Sequence, residues 1–217
     1  MGLVLAGLII FGFKSAWLEG QGIFNEIDGF LAVHGIVFFA WYLLFLLQAT
    51  LIRNKNIALH KRMGQLSVLL VIVIIVLGVQ IMQRVYGNPN MSIAGLSPEG
   101  SMIFPFTDLL NFTIAYVLAL TYRKDGEAHK RWMLLAGILM IGPATARTVI
   151  MNGLPEPMIL LLELGLIIAL MVYDFRTRGK PHWATGTALG IAILTNVAKF
   201  TVSETSFWHG FMAMLFA

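Results

Sequence analysis

Polar and ionisable residues interrupt the apolar stretches of this chain at His34, Asp108, Asn111, Arg147, Glu163, Asn196, Lys199 and His209. A charge in hydrocarbon is costly, so such residues pair with one another or mark ligand, proton or cofactor sites. Asp108 with Arg147, and Glu163 with Lys199, would make two ion pairs that hold helices in register. Lys199 has a second option, extending its ammonium to the headgroups. As a ligand or proton site, Arg147 or Lys199 would meet a negative substrate group. Asp108 and Glu163 would then take protons or a cation, with Asn111 three residues from Asp108 on the same helical face.

The histidines suggest a different chemistry. His34-Gly35 and Trp208-His209-Gly210 each place a glycine beside an imidazole. A porphyrin held by two helices needs an axial imidazole on each and small neighbours where the macrocycle packs, so haem b is the cofactor expected for His34 and His209, and the inner histidines would hold a second haem if their helices are neighbours. His60, His129 and His182 each open an apolar run after a basic segment, and three imidazoles would suit zinc, copper or non-haem iron. The lysines and arginines around them oppose a cation and favour contact with lipid phosphate. A metal-dependent hydrolase would need His34, Asp108 and His209 around one ion. His34, Trp41 and Gln48, spaced by seven, form a polar and aromatic stripe along one helical face. No cysteine is present, which excludes disulfides and thiolate metal sites. No phosphate-binding glycine loop, His-Glu-x-x-His or Ser-His-Asp arrangement stands out.

The elements that must position these residues follow from composition. The chain is 58% hydrophobic and 12% charged over 217 residues, too little charge to cover a soluble domain. Seven apolar stretches, roughly 1–18, 29–52, 62–83, 102–122, 131–151, 157–174 and 183–202, approach the ~20 residues a helix needs to cross a bilayer. The expected fold is therefore an all-α integral membrane protein, one domain over 1–217, with about seven transmembrane helices. Phe207 to Ala217 is too short to cross, and reads as a half-span, an interfacial helix or an interrupted span. Three basic loops, Arg53–Arg62, Arg123–Arg131 and Arg176–His182, hold 11 of the 15 Lys and Arg residues. Positive charge collects in cytoplasmic loops, which puts the N-terminus inside and 19–28, 84–101, 152–156 and 203–206 outside. On that topology the polar residues of the first paragraph share a depth in the outer half. The net charge of +4 fits inner loops on an anionic lipid bilayer and calls for no nucleic acid.

The three basic turns mark a weak repeat of helical hairpins, seen best in Leu59-His-Lys-Arg-Met against Ala128-His-Lys-Arg-Trp-Met. Gly142-Pro143 predicts a kink in the fifth span. The first stretch lacks the initial positive region of a signal peptide. The 84–101 loop carries turn-forming clusters and a length that suits function.

His34-Gly35, Trp41 and Gln48, followed by Leu59-His60-Lys-Arg-Met-Gly64 and His129-Lys-Arg-Trp-Met133, resemble a group of uncharacterised bacterial multi-span membrane proteins over roughly residues 8–150. That resemblance implies the bacterial cytoplasmic (inner) membrane. A looser likeness is to six-helix cytochromes b, which carry electrons between two haems held by paired histidines near opposite faces. Here the inner histidines stand at the very starts of their helices, and the outer pair would use the terminal piece. The expectations that follow are a haem b electron or proton carrier, a transporter or ligand-binding protein using the outer pocket, or a non-catalytic subunit packed against other membrane subunits.

Overall fold

The computed structural model describes residues 1–18, 29–90 and 92–217, with the side chains of 15–18 excepted. The segment 19–28, expected to form an outer loop, lies outside the described residues. All regular structure among the described residues is helical: α1 (Gly2–Leu18), α2 (Gly29–Arg53), α3 (Ile57–Val85), α4 (Pro98–Ser101), α5 (Ile103–Thr121), α6 (Gly126–Leu139), α7 (Gly142–Met151), α8 (Pro157–Arg178), α9 (Trp183–Thr201) and α10 (Ser206–Phe216). Lipid offers a backbone no hydrogen-bond partners, so apolar runs of this length close their bonds internally as helices.

Side chains at the turns stop and restart these helices. Asn56 Oδ1 accepts from the Leu59 amide at 3.2 Å, and Asp125 Oδ1 accepts from Glu127 and Ala128 at 2.9 and 3.2 Å. Such caps satisfy amides that a helix start leaves open. Gly179 ends α8 in the left-handed region, at φ 72°, where a side chain would be strained.

Four helices are long and apolar enough to cross a membrane: α2, α3, the continuous Pro98–Thr121 and α8. Two bent pairs bring the number to as many as six, α6 with α7 at 43° and α9 with α10 at 98°. The sequence-based figure of about seven is thus four to six by length and composition. Over the described residues α1 has 17 residues. Thr185, Thr187, Thr195, Asn196 and Lys199 dilute the hydropathy of α9. The kink expected at Gly142-Pro143 is present as the break between α6 and α7.

The three basic loops meet at one end of the bundle. The rings of His60 and His129 are 6.4 Å apart, and Arg178 Nη1 bonds Glu127 Oε2 at 3.0 Å. At the far end Glu204 accepts from the amide and the hydroxyl of Ser97, tying the loop before α10 to the start of α4. Between the ends lies a dry core. Trp41 is edge-on to Phe112 at 4.9 Å and to Tyr116 at 5.6 Å, with Trp132, Leu135 and Ile141 fully buried around them. Alanines at 115, 119, 128, 136, 184 and 188 are also fully buried and let backbones approach, as packing in lipid favours. Gly12 takes this furthest, since any Cβ there would collide with the Ala144 carbonyl.

One buried network fixes the basic end. Arg131 Nε and Nη2 both donate to Asp174 Oδ1, while its Nη1 reaches Glu127 Oε2 at 2.6 Å. Asp174 Oδ2 accepts from Thr185 Oγ1 at 2.7 Å and the His182 amide at 3.2 Å. Every face of the Asp174 carboxylate is answered, so a buried charge pair here locks α6, α8 and α9 together.

His182 belongs to the same lock: its Nδ1 accepts from the Ala184 amide at 3.1 Å and caps α9. That bond needs the neutral ring. Burial, then the Arg131 and Arg178 cations, hold the imidazole below its usual range against the pull of Asp174 and Asp125. An unfolded chain, with an ordinary value near ~6.5, therefore takes up the proton first as pH falls. The stability from this cap is complete above that value and is lost as pH drops through the folded one. His182→Asn keeps a capping acceptor that does not titrate. Its thermal midpoint should fall less steeply than the native one below pH ~6.5; equal slopes would remove His182 from the account.

A buried acid–base cluster beside a helix break

Asp108 projects from α5 and Lys199 from α9, both buried, and Lys199 Nζ donates to Asp108 Oδ1 at 3.0 Å. Lys199 also stands 5.2 Å from the Phe104 ring centroid, a cation–π contact that helps to hold it inside. Glu163 of α8 accepts from Thr145 Oγ1 at 3.2 Å. Both acids approach Gly142, the first residue of α7. A methyl group there would stand 3.3 Å from Glu163 Oε1 and 2.5 Å from Asp108 Oδ2. The two carboxyl groups thus crowd one point, and a side chain there would displace the Asp108 carboxylate.

α7 begins afresh after the break, and no side chain caps its start. Pro143 has no N–H, and the Ala144 and Thr145 amides bond the Ile141 carbonyl at 2.9 and 3.1 Å, so the acids meet side chains and the bare Gly142 backbone here. A small cavity of about 20 Å³ opens beside the cluster, lined by Asp108, Asn111, Glu163, Thr195, Asn196 and Lys199, room for about one water. Asn111 Nδ2 donates to Thr195 Oγ1 at 3.2 Å, and Asn196 turns back to the Ala192 carbonyl of its own helix at 2.8 Å.

The pairing expected from sequence is corrected here. Lys199, and not Arg147, takes Asp108, because α9 packs on α5 whereas α7 packs on α1. Glu163 and Lys199 lie in electrostatic reach without a direct bond. Among the described residues Arg147 bonds the Pro143 carbonyl of its own helix, at 3.0 Å, and stands 4.5 Å over the Phe13 ring.

The histidine expectations divide. His60 and His129 come together, as expected. His129 Nδ1 donates to the Ala119 carbonyl at 2.8 Å, which leaves its Nε2 lone pair free. Gln48, buried on α2, clamps the other ring. In the amide orientation that satisfies all its neighbours, Oε1 accepts from Gly64 N at 2.9 Å and Nε2 donates to His60 O and Nδ1. That places the His60 proton on Nε2. His34 and His209 share no ring contact among the described residues. His34 stacks on Phe38 of its own helix at 4.2 Å. His209 lies 3.6 Å from Glu204, on a helix packed over α4. Among the described residues no three of His, Asp or Glu are grouped to hold a metal ion, which separates His182 from the other two inner histidines and Asp108 from His34 and His209. Trp41, on the stripe between His34 and Gln48, is buried in the dry core.

Sequence reading missed Gly142 and Thr145 as neighbours of the acids, Thr195 as the partner of Asn111, and Asp174 as the anchor of Arg131. The Gly-Pro break was visible, but not which side chains would turn toward it.

The fold and site together define a class: an all-helical protein with apolar helices of membrane-crossing length around a buried acid–base cluster. No family model, curated protein or solved structure matches the chain.

Removing one partner of a buried pair strands the other charge, at a cost of about 3–5 kcal/mol, whereas removing both costs less. Asp108→Asn should therefore lower the thermal midpoint in detergent more than Asp108→Asn with Lys199→Met. Pairing Asp108→Asn with Arg147→Gln should give additive losses. A rescue by the Arg147 change, and none by the Lys199 change, would contradict the geometry.

Proposed function

We propose that this protein is a carrier of the bacterial cytoplasmic membrane, driven by a proton bound at Asp108, Glu163 and Lys199. The observation that carries this reading is two carboxyl groups crowding Gly142 with one ammonium between helices. Were both acids ionised, one negative charge would remain uncompensated in a low dielectric. A proton on the carboxyl pair makes the cluster neutral. Its release to the water-sized cavity restores the charge, and the two states differ in what they ask of the surrounding helices.

The topology that serves this reading has seven crossings, with α1 and the bent α9 included, and places the basic loops in the cytoplasm. The cluster then lies in the outer half and takes its proton from outside. Below it Trp41, Phe112 and Tyr116 close the bundle, so passage inward needs a rearrangement. The 43° break between α6 and α7 supplies a hinge at the cluster itself, and protonation changes the charge against which α7 begins. Anionic lipid meets the basic end, and other membrane subunits are not required for this step.

A pH jump applied to oriented proteoliposomes on a supported membrane tests the reading without a known substrate. The native protein should give a transient current as protons bind, and Glu163→Gln should lose it. A full-sized transient in Glu163→Gln, or a steady leak in both, would overturn the proposal.

A second reading, haem b between His60 and His129, draws on their 6.4 Å ring separation and on the free Nε2 of His129. A ligand histidine typically donates Nδ1–H to a carbonyl in this way. His60 fits less well, because the Gln48 amide occupies its Nδ1 and leaves the proton on the nitrogen that would face iron. Reduced and oxidised absorption spectra of the purified protein decide between the two.

A further inference from the structure

Arg147 is a charge that the proton site does not use. It sits half-buried on α7 over the Phe13 ring, and no carboxylate pairs with it among the described residues. A guanidinium has five N–H donors in a rigid fork, and among the described residues its one hydrogen bond is to the Pro143 carbonyl. A cation without a paired anion beside apolar helices is costly. Two further polar atoms are sealed from solvent without partners among the described residues: Thr148 Oγ1, on the next residue of α7, and Nδ1 of His34 on α2, whose ring also interacts with the Leu77 backbone. His34 lies within electrostatic reach of Arg147. Buried polar atoms are nearly always bonded, so a group of them without partners asks for a ligand.

We propose that Arg147 binds the anionic group of the carried substrate, a small carboxylate or phosphate, and that α7 couples this anion to the proton. The proposal rests on the carrier reading above and names its substrate class. The guanidinium fork matches either anion with two parallel bonds, and the Phe13 face supports the cation from the other side. α7 presents both sites, with Gly142 and Thr145 toward the acids and Arg147 and Thr148 in its next turn. Charge gives the coupling its sign. With the substrate anion on Arg147 and the proton on the carboxyl pair, each site is neutral by itself. With only one of them bound, the other site keeps a bare charge. Anion and proton therefore favour each other's binding and travel together without net charge.

The test uses the full chain in maltoside micelles, which contain no phosphate or carboxylate, with the thermal midpoint as the readout. Sodium acetate and sodium phosphate are titrated against sodium chloride at matched ionic strength. At least one of the two anions should raise the midpoint to a plateau that chloride does not reach. Arg147→Gln should abolish this shift. Arg147→Lys, which keeps the charge and loses the fork, should need about tenfold more anion, the loss of ~1.4 kcal/mol of binding, and it serves if the glutamine variant does not fold. A shift equal to that of chloride, or one that survives in both variants, overturns the site. A shift seen only when phosphatidylglycerol is added assigns Arg147 to a lipid headgroup and overturns it as well. Loss of the pH-jump current with the anion shift intact would remove the carrier reading and leave an anion site. The reverse would remove this proposal alone.

Discussion

A charge placed between apolar helices must be answered within the protein, and the two ends of this bundle meet that demand differently. At the basic end Arg131 and Asp174 are matched one to one, with Thr185, His182 and Glu127 filling the remaining positions. Nothing there has a reason to change. At the other end Asp108 and Lys199 are matched, whereas among the described residues Glu163 meets the Thr145 hydroxyl and Arg147 the Pro143 carbonyl and the Phe13 ring, and neither has a direct bond to an opposite charge. Full compensation makes a lock at the basic end, while the other end holds charges that its direct pairs do not answer. On the function proposed above, that difference separates an anchor from a working centre.

The break between α6 and α7 connects that electrostatic argument to motion. Gly142 lets two carboxyl groups approach the backbone, and Pro143 prevents the helix from running on. α7 is only ten residues long, and α1 packs tightly against it through the Gly12–Ala144 contact. A change of charge at its start therefore acts on a short rigid rod held at one face. The Arg131–Asp174 lock ties α6 to α8 at its other end, which gives the rearrangement proposed above a pivot.

Much of the architecture was legible in the sequence because it depends on one-dimensional patterns. Apolar run length gave the helices, and the clustering of Lys and Arg gave the shared end of the three basic loops. Gly142-Pro143 gave the break, and the depth of Asp108, Glu163 and Lys199 gave their neighbourhood. Partner choice was not legible. Asp108 pairs with Lys199 instead of Arg147 because helix order around the bundle decides it, and no local pattern encodes that order. The sequence-based count of crossings ran higher than the four to six that length and composition support among the described residues, because the polar residues of α9 lower its hydropathy although its length is sufficient. His60 and His129 were expected together and are together, yet the Gln48 clamp that sets the His60 tautomer comes from a third helix.

The central claim is that the Asp108–Glu163 pair holds one exchangeable proton beside Lys199. Infrared difference spectroscopy of the purified protein across a pH step reads this directly, because a protonated carboxyl group in an apolar site gives its own carbonyl band. The account predicts one such band that disappears on deprotonation, shifts in deuterium oxide, moves in Gly142→Ala and is absent in Glu163→Gln. No carboxyl band at any pH, or an unchanged band in Glu163→Gln, would contradict it.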